Sequence, residues 1–543
     1  MKKLIYLFGI VCLAVSCDTN TKTKTTHTED SEENEIVKPV SLRDTSITPA
    51  VAYNNFFIDS AAVMAYVTKN NLPAAEANRI QSFYNQRNFQ FAWFTNNGPT
   101  EEGRNFWNAY TYEKTKAKDT GYDRKLVVMM DTLLPSLDTI VIDATDSTYV
   151  NAEIAITRKF LNYYTSREDG TDNNLLQLVP TRKADVLASA DSILKTESKI
   201  VDTNNLHRQY HALKKELAMY LQLAKTQQAD SVVFIGKLKK GMSSPVLPVI
   251  KKRLQLMGYL PGADTTAVYN DSLAAAISLY QMSLGMKADG ILSDSVTRRI
   301  NIPYKQKVAQ ILVNMNRLLW MPSKIGDHYI QVNIPEFMLH VYEAKNKVFE
   351  MPVVVGKEGT NTMMFAGDLN QVVFSPYWNI PESIVKNEIV PGIERNPDYL
   401  ASHNMEITGK RNNLPVVRQL PGKGNSLGRV KFLFPNSYDI YLHDTEAKYL
   451  FTKTRRAFSH GCIRLADAEK MANYILREDS AWNAEKITEA MNSDTEKFVK
   501  VKNPVPVLIT YLTVWVDDAG KMNTRDDIYQ HDAAAIKRHF ISF

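Results

Sequence analysis

The chain has 543 residues, 44% hydrophobic and 23% charged, the balance of an ordinary globular protein but too long for a single core. The net charge of +6 falls to +4 once Lys2 and Lys3 leave with a cleaved leader, and no dense Lys/Arg tract is present. That composition argues against a nucleic-acid partner and for three or four folded units.

Met1 to Cys17 reads as a secretory signal: Lys2-Lys3, then an apolar run from Leu4 to Val15 that is too short to span a bilayer. It ends in Leu13-Ala14-Val15-Ser16-Cys17, which resembles a bacterial lipobox with Ala14 where Leu is usual. Cys17 would then be acylated and hold the protein to a membrane by a lipid. The simpler alternative is a plain signal with an incidental Cys17. Residues 18–50 are rich in Thr, Asp, Glu, Asn and Ser, too polar to bury a core, and read as a disordered tether. As a flexible coil it would span roughly 30 Å, and fully extended about 110 Å.

Residues 51–235 read as a helical scaffold. Apolar residues fall at helical spacing over Ala74–Tyr84, Asn151–Tyr164 and Leu206–Leu223, and the aromatic run Phe89 to Phe94 reads as core. Nothing in this stretch suggests chemistry. Residues 236–303 read as a small separate module: Leu247, Ile250, Leu254 and Met257 make one apolar helix face, and Leu273, Ile277, Tyr280 and Leu284 another. Asp289-Gly290 then precedes a short helix near Ser293 to Ile300. The markers Gly241, Val249, Leu254, Gly258-Tyr259, Tyr280-Gln281, Ala288-Asp289-Gly290-Ile291-Leu292 and Thr297 resemble the three-helix peptidoglycan-binding module of wall enzymes. A generic bundle without a ligand is the alternative.

A linker helix is expected over 304–324, with Ile311, Leu312, Met315 and Leu318-Leu319 on its apolar side. The period then changes to two. Ile330, Val332 and Ile334 alternate with polar residues, a hairpin follows over Phe337–Tyr342 and Val348–Val355, and short strands are expected at Gln371–Ser375, Asp439–Leu442 and Val507–Val516, with a helix at Asp467–Arg477. This mostly β unit spans 325–520, leaving 521–543 as a C-terminal segment. Residues 380–430, with Pro, Gly and Asn and little periodicity, read as an irregular flap over a functional site. The fold class is therefore multidomain α+β.

Chemistry concentrates at Cys462, in Ser459-His460-Gly461-Cys462-Ile463-Arg464-Leu465. With Cys12 and Cys17 in the leader, it is the one free thiol of the mature chain, without an internal disulfide partner. At an ordinary pKa near 8.5 only about 3% of a thiol is ionised at pH 7, and a neighbouring imidazole would raise that by forming a thiolate–imidazolium pair. His443 ends an expected strand that can lie beside the Cys462 loop; His460, two residues away, is worse placed. Gly461 permits a tight turn that would aim the Gly461 and Cys462 N–H groups at an oxyanion. Arg464 reads equally as a holder of a substrate carboxylate or as an ion-pair partner within the domain. A buried inert cysteine and a zinc site of His443, His460 and Cys462 are the alternatives. No metal-binding spacing supports the latter, and neither metal nor cofactor is expected.

The pairing of His443 with the Ser459–Leu465 block resembles the signature of L,D-transpeptidases of the YkuD fold. The run from Phe83 to Phe94, Val332-Asn333-Ile334-Pro335, Trp378-Asn379-Ile380-Pro381 and Pro504-Val505-Pro506-Val507 resemble the large multidomain subgroup related to enterobacterial YcbB. The resemblance implies a mostly β catalytic domain, a lid at 380–430, and a cysteine enzyme that joins peptidoglycan stems. Cys462 would be the nucleophile, His443 the base and Gly461 the oxyanion donor, with the Asp444 backbone orienting His443. Tyr441, Trp378, Ser459, His460 and Arg464 would contact substrate. Its partners would be stem peptides and glycan strands in the cell envelope, periplasm-facing, reached from a lipid anchor. An L,D-carboxypeptidase and a non-catalytic wall-binding scaffold are the competing functions.

Overall fold

The computed structural model describes residues 37–117, 124–134, 140–165, 178–195, 205–227, 231–322, 325–344 and 346–541. The leader, Cys17 with its lipidation reading, and the tether to residue 36 lie outside these residues. Among the described residues no helix is long and apolar enough to cross a membrane.

The described end of the expected tether is docked on the scaffold. Ile47 is fully buried, the Asp44 N–H donates to the Asn85 carbonyl at 2.9 Å, and Asn85 Nδ2 donates to the Ser41 carbonyl at 2.8 Å. One buried side chain and scattered polar contacts, the Arg182–Asp44 ion pair among them, hold this strip, a signal too sparse for composition to register. The tether reading is corrected from about residue 40 onward.

The scaffold helices, among them Ala74–Asn85, Glu101–Lys116, Ser147–Thr165 and Asn205–Thr226, pack around a core that includes Phe91, Trp93, Phe106 and Phe160. The buried Glu153 carboxylate accepts the Ala92 and Trp93 N–H groups at 2.6 and 3.0 Å, which pins the aromatic run against its helix. The module helices Leu247–Leu256, Asp271–Ser283 and Asp294–Ile300 bury the residues of both expected apolar faces, apart from the half-buried Leu284, in the same continuous core. The linker helix Tyr304–Leu319 carries Arg317, buried between Glu101 (2.6 Å) and Asp532 (2.5 Å). That pair of ion bonds joins scaffold, linker and the C-terminal helix His531–His539.

The β unit is built from nine strands: β1 Tyr329–Asn333, β2 Met338–Glu343, β3 Asn346–Gly356, β4 Phe365–Phe374, β5 Val430–Leu433, β6 Leu442–His443, β7 Ala457–Ser459, β8 Ile463–Leu465 and β9 Lys497–Thr510. Their order is β7-β3-β8-β6-β5-β4-β9-β1-β2, and β2 also pairs with β3, so the ladder closes on itself as a barrel. Val332, Leu339, Val353, Leu442, Ile463 and Leu465 fill its interior. Helix Ala468–Leu476, capped by the Asp467 side chain, packs against the same core.

Residues 380–430 are more ordered than the sequence suggests. Short helical turns run from Glu382 to Ser402, and a hairpin of Met405–Arg411 and Leu414–Gln419 pairs with Trp378–Asn379. Ile380, Ile384, Val385, Ile389 and Val417 give this lid a core of its own. Its first helical run is continuous from Glu382 to Arg395, but it turns π-helical over Val385–Ile389 and carries Pro391 and Gly392, which hides a regular helical period.

Candidate active site

β7 runs parallel to one edge of β3, and β8 antiparallel to the other. Three residues, His460-Gly461-Cys462, must therefore cross the end of β3. Gly461 makes the crossing at φ +117°, a conformation that costs a residue with a Cβ but not glycine. The crossing is tied from three directions. Ser459 Oγ donates to the Cys462 carbonyl at 2.6 Å and accepts the Gly461 N–H at 3.2 Å. Thr362 Oγ1 donates to the Gly461 carbonyl at 2.7 Å. Tyr529 hydroxyl accepts the Thr362 N–H at 3.3 Å and donates to the Gly356 carbonyl at 2.5 Å.

β6 and β8 are parallel neighbours, with Leu442 opposite Ile463 and His443 opposite Arg464. Leu442, Ile463 and Leu465 point into the barrel, so alternation puts Tyr441, His443, Cys462 and Arg464 on its outer face. Cys462 is half-buried, and its thiol donates to the Asp439 carbonyl at 3.6 Å. Burial pushes the thiol pKa up, against the opposing pull of the Tyr441 N–H and hydroxyl. His443 is 4% exposed. Burial, aided by the Arg464 charge, lowers its pKa to about 4. Its Nδ1 donates to the Asp444 carbonyl at 2.6 Å, so in the neutral ring the lone pair is on Nε2, and the Leu427 backbone also bears on the ring. The Asp444 carboxylate in turn accepts the Arg429 N–H at 2.9 Å and pairs with Lys448 at 2.7 Å, so the peptide that orients His443 is itself held.

Both shifts favour an uncharged thiol and imidazole, and no hydrogen bond joins the two. Burial disfavours the charged form of each group, which works against the thiolate–imidazolium pair expected from the sequence.

A cavity of about 890 Å³ lies between barrel and lid. Tyr441, Gly461, Cys462 and His460 open onto it from the barrel, and Ile380 to Val385, Arg411 and Leu414 to Val417 from the lid. His460 is exposed, and its Nε2 lies 3.1 Å from Glu388 Oε1 on the lid.

Three expectations are corrected here. Ser459, expected at the substrate, is 2% exposed and spends its hydroxyl inside the turn. Gly461 N–H, expected at an oxyanion, is taken by Ser459, which leaves the Cys462 N–H, without an acceptor among the described residues, as the donor at that place. Trp378 pairs with Gln419 and packs in the lid core, and it is not part of the cavity wall. Arg464 meets no carboxylate within 4.0 Å among the described residues, and its Nε is buried without a partner. Among those residues no group of three His, Cys, Asp or Glu is placed to hold a metal. Thr362, Tyr529 and Glu388 were missed by sequence reasoning. Only the Gly356–Gly359 turn preceding Thr362 carried any local signal.

Residues 327–507 match the family model of the YkuD L,D-transpeptidase catalytic domain, residues 78–217 that of a "Scaffold domain", and residues 244–300 that of a "Putative peptidoglycan binding domain". Together these matches support a multidomain organisation with a YkuD-type catalytic domain. A "Putative L,D-transpeptidase" of Haemophilus influenzae is 29% identical over 239 residues, 41% of this chain and 48% of the relative. The match thus spans about half the length of that curated relative. Two solved structures are similar at lower identity. The crystal structure of an L,D-transpeptidase from Xylanimonas cellulosilytica is 11% identical with a TM-score of 0.17, covering 51% of this chain and all of that one. The NMR structure of the catalytic domain of an E. faecium L,D-transpeptidase is 15% identical with a TM-score of 0.16, covering 35% of this chain and all of that one. The assignment rests on the family matches, which place the barrel, lid and Cys462 turn inside the YkuD-type region and the scaffold and module ahead of it.

Proposed function

We propose that this protein is a peptidoglycan L,D-transpeptidase that forms 3→3 cross-links through a cysteine thioester. The observation that supports it most is the pairing of β6 with β8, which sets a neutral, oriented His443 beside the strand of a cavity-facing thiol. Cys462 Sγ attacks the carbonyl carbon of the third residue of a donor tetrapeptide stem, and the thiol proton passes to His443 Nε2. The Cys462 N–H receives the developing oxyanion. The bond to the terminal D-Ala breaks, D-Ala leaves with the proton from His443, and a thioester remains. The amine of a second stem then attacks the thioester, gives its proton to His443, and the thiolate departs to take that proton back.

The lid supports transfer to an amine over hydrolysis, because a covered thioester is shielded from water. The module at 244–300 would hold the enzyme to glycan, and the Cys17 lipid would hold it to a membrane at the periplasmic side. Incubation with a tetrapeptide stem is expected to give a covalent adduct on the intact protein that Cys462→Ala abolishes without loss of fold. An unchanged adduct on that variant would sink the assignment. Muropeptide analysis separates the L,D-carboxypeptidase alternative, which yields tripeptide monomer in place of cross-linked dimer.

A further inference from the structure

Arg464 is a cation in a place that ordinarily demands a partner. It sits in β8 opposite His443, on the outer barrel face that also carries Cys462. Burial lowers its pKa, and the nearest groups that act on it are the Cys462 thiol and the Tyr449 ring. Its Nε is buried and unpartnered, and among the described residues the guanidinium meets no carboxylate and no hydrogen-bond acceptor. A folded protein rarely leaves a buried N–H of this kind without an acceptor.

Its position relative to the cavity is informative. Cys462, His460 and Tyr441 line the space under the lid, whereas Arg464 and His443 do not. Tyr449, which bears electrostatically on Arg464, is two-thirds exposed.

We infer that Arg464 is the carboxylate-binding residue for the acceptor amine, reading a carboxylate borne on the same carbon as the attacking nitrogen. The inference rests on the transpeptidase reading above and adds which end of which stem is recognised. Two residues along a strand span about 6.6 Å. An amine at the thioester carbon, its α-carboxylate and one charge-assisted hydrogen bond fill that distance. His443, across the ladder from Arg464, then takes a proton from the same amine whose carboxylate Arg464 holds. A planar fork that binds two oxygens at once fixes the amine's direction of attack as well as its identity.

The test starts from wild-type acyl-enzyme formed with a tetrapeptide donor and measures its partition between aminolysis and hydrolysis. Two acceptor stems are compared, one with a free carboxylate beside the amine and one with that carboxylate amidated. The wild type is expected to favour the free acid by about tenfold or more. In Arg464→Gln the preference is expected to fall to about one. In Arg464→Lys, which keeps the charge and loses the fork, it is expected to be intermediate, and this variant carries the test if the Gln variant acylates too slowly. Equal rates for both acceptors on the wild type, or an undiminished preference in both variants, would overturn the inference while leaving the transpeptidase reading intact. A wild type that forms no acyl-enzyme would instead overturn that reading and this assignment with it.

Discussion

His460 Nε2 lies 3.1 Å from Glu388 Oε1, a contact between the nucleophile turn and the lid that closes over it. Both partners are well exposed, so the pair adds less than about 1 kcal/mol to stability. Its effect should fall on the lid. Glu388→Gln is expected to leave the melting temperature nearly unchanged, to raise amide exchange in residues 382–395 and to raise KM for a donor stem severalfold. Unchanged exchange in that segment would mean that the lid is held from its base alone.

The His443 imidazole, with its pKa lowered to about 4, stays neutral well below the ordinary histidine range. Acylation by a donor stem is therefore expected to persist down to about pH 5 and to lose its acid limb near 4, not near 6.5. A limb at 6.5 in a stopped-flow pH profile would contradict the buried placement. The same depression has a stability consequence. An unfolded histidine takes its proton near 6.5 and the folded one near 4, so unfolding takes up a proton between those values. The contribution of His443 is full above pH 6.5 and is lost as pH falls towards 4. His443→Ala should slow acylation by about 10²–10⁴-fold.

Thr362→Val removes the hydroxyl that donates to the Gly461 carbonyl at almost constant volume. A buried carbonyl left without a donor costs about 1–3 kcal/mol. The variant should fold, melt several degrees lower and acylate more slowly, since the turn carrying Cys462 loses one of its three ties. Tyr529→Phe, which frees the Gly356 carbonyl on the same loop, should show a milder form of both effects.

Gly461→Ala separates strain from crowding. A Cβ there would come no closer than 3.8 Å to a neighbour, the Asn361 carbonyl, but φ is +117°. The cost is therefore conformational, about 1–3 kcal/mol. The expected result is a soluble protein with its far-UV spectrum retained and its acyl-enzyme rate reduced tenfold or more. Wild-type rates would show that the turn can be made without a left-handed residue.

Where side-chain pattern repeats over short distances, the sequence was legible. Two-residue alternation marked the β1–β2–β3 hairpins, helical spacing marked both faces of the small module, and Asp467 and Arg477 turned out to be the two caps of their helix. The His443 and Cys462 motif was legible because each ends or begins a strand whose neighbours are hydrophobic. The lid was not, because its helical run shifts to a π-helical stretch at Val385–Ile389 and carries Pro391 and Gly392, and its core is assembled from both ends of the segment. Ser459 and Trp378 were misplaced for a related reason: motif membership does not say which way a side chain faces.

By itself, then, the sequence determined which residue types could do chemistry here and which class of scaffold carries them. Tertiary structure decided how they are used. Ladder pairing put His443 beside the strand that follows Cys462, burial disfavours the charged form of both groups, and contacts from Thr362 and the distant Tyr529 shaped the turn. Those decisions depend on desolvation and on partners far apart in the chain. Neither leaves a local pattern, because the free energies that set them arise only when the barrel closes.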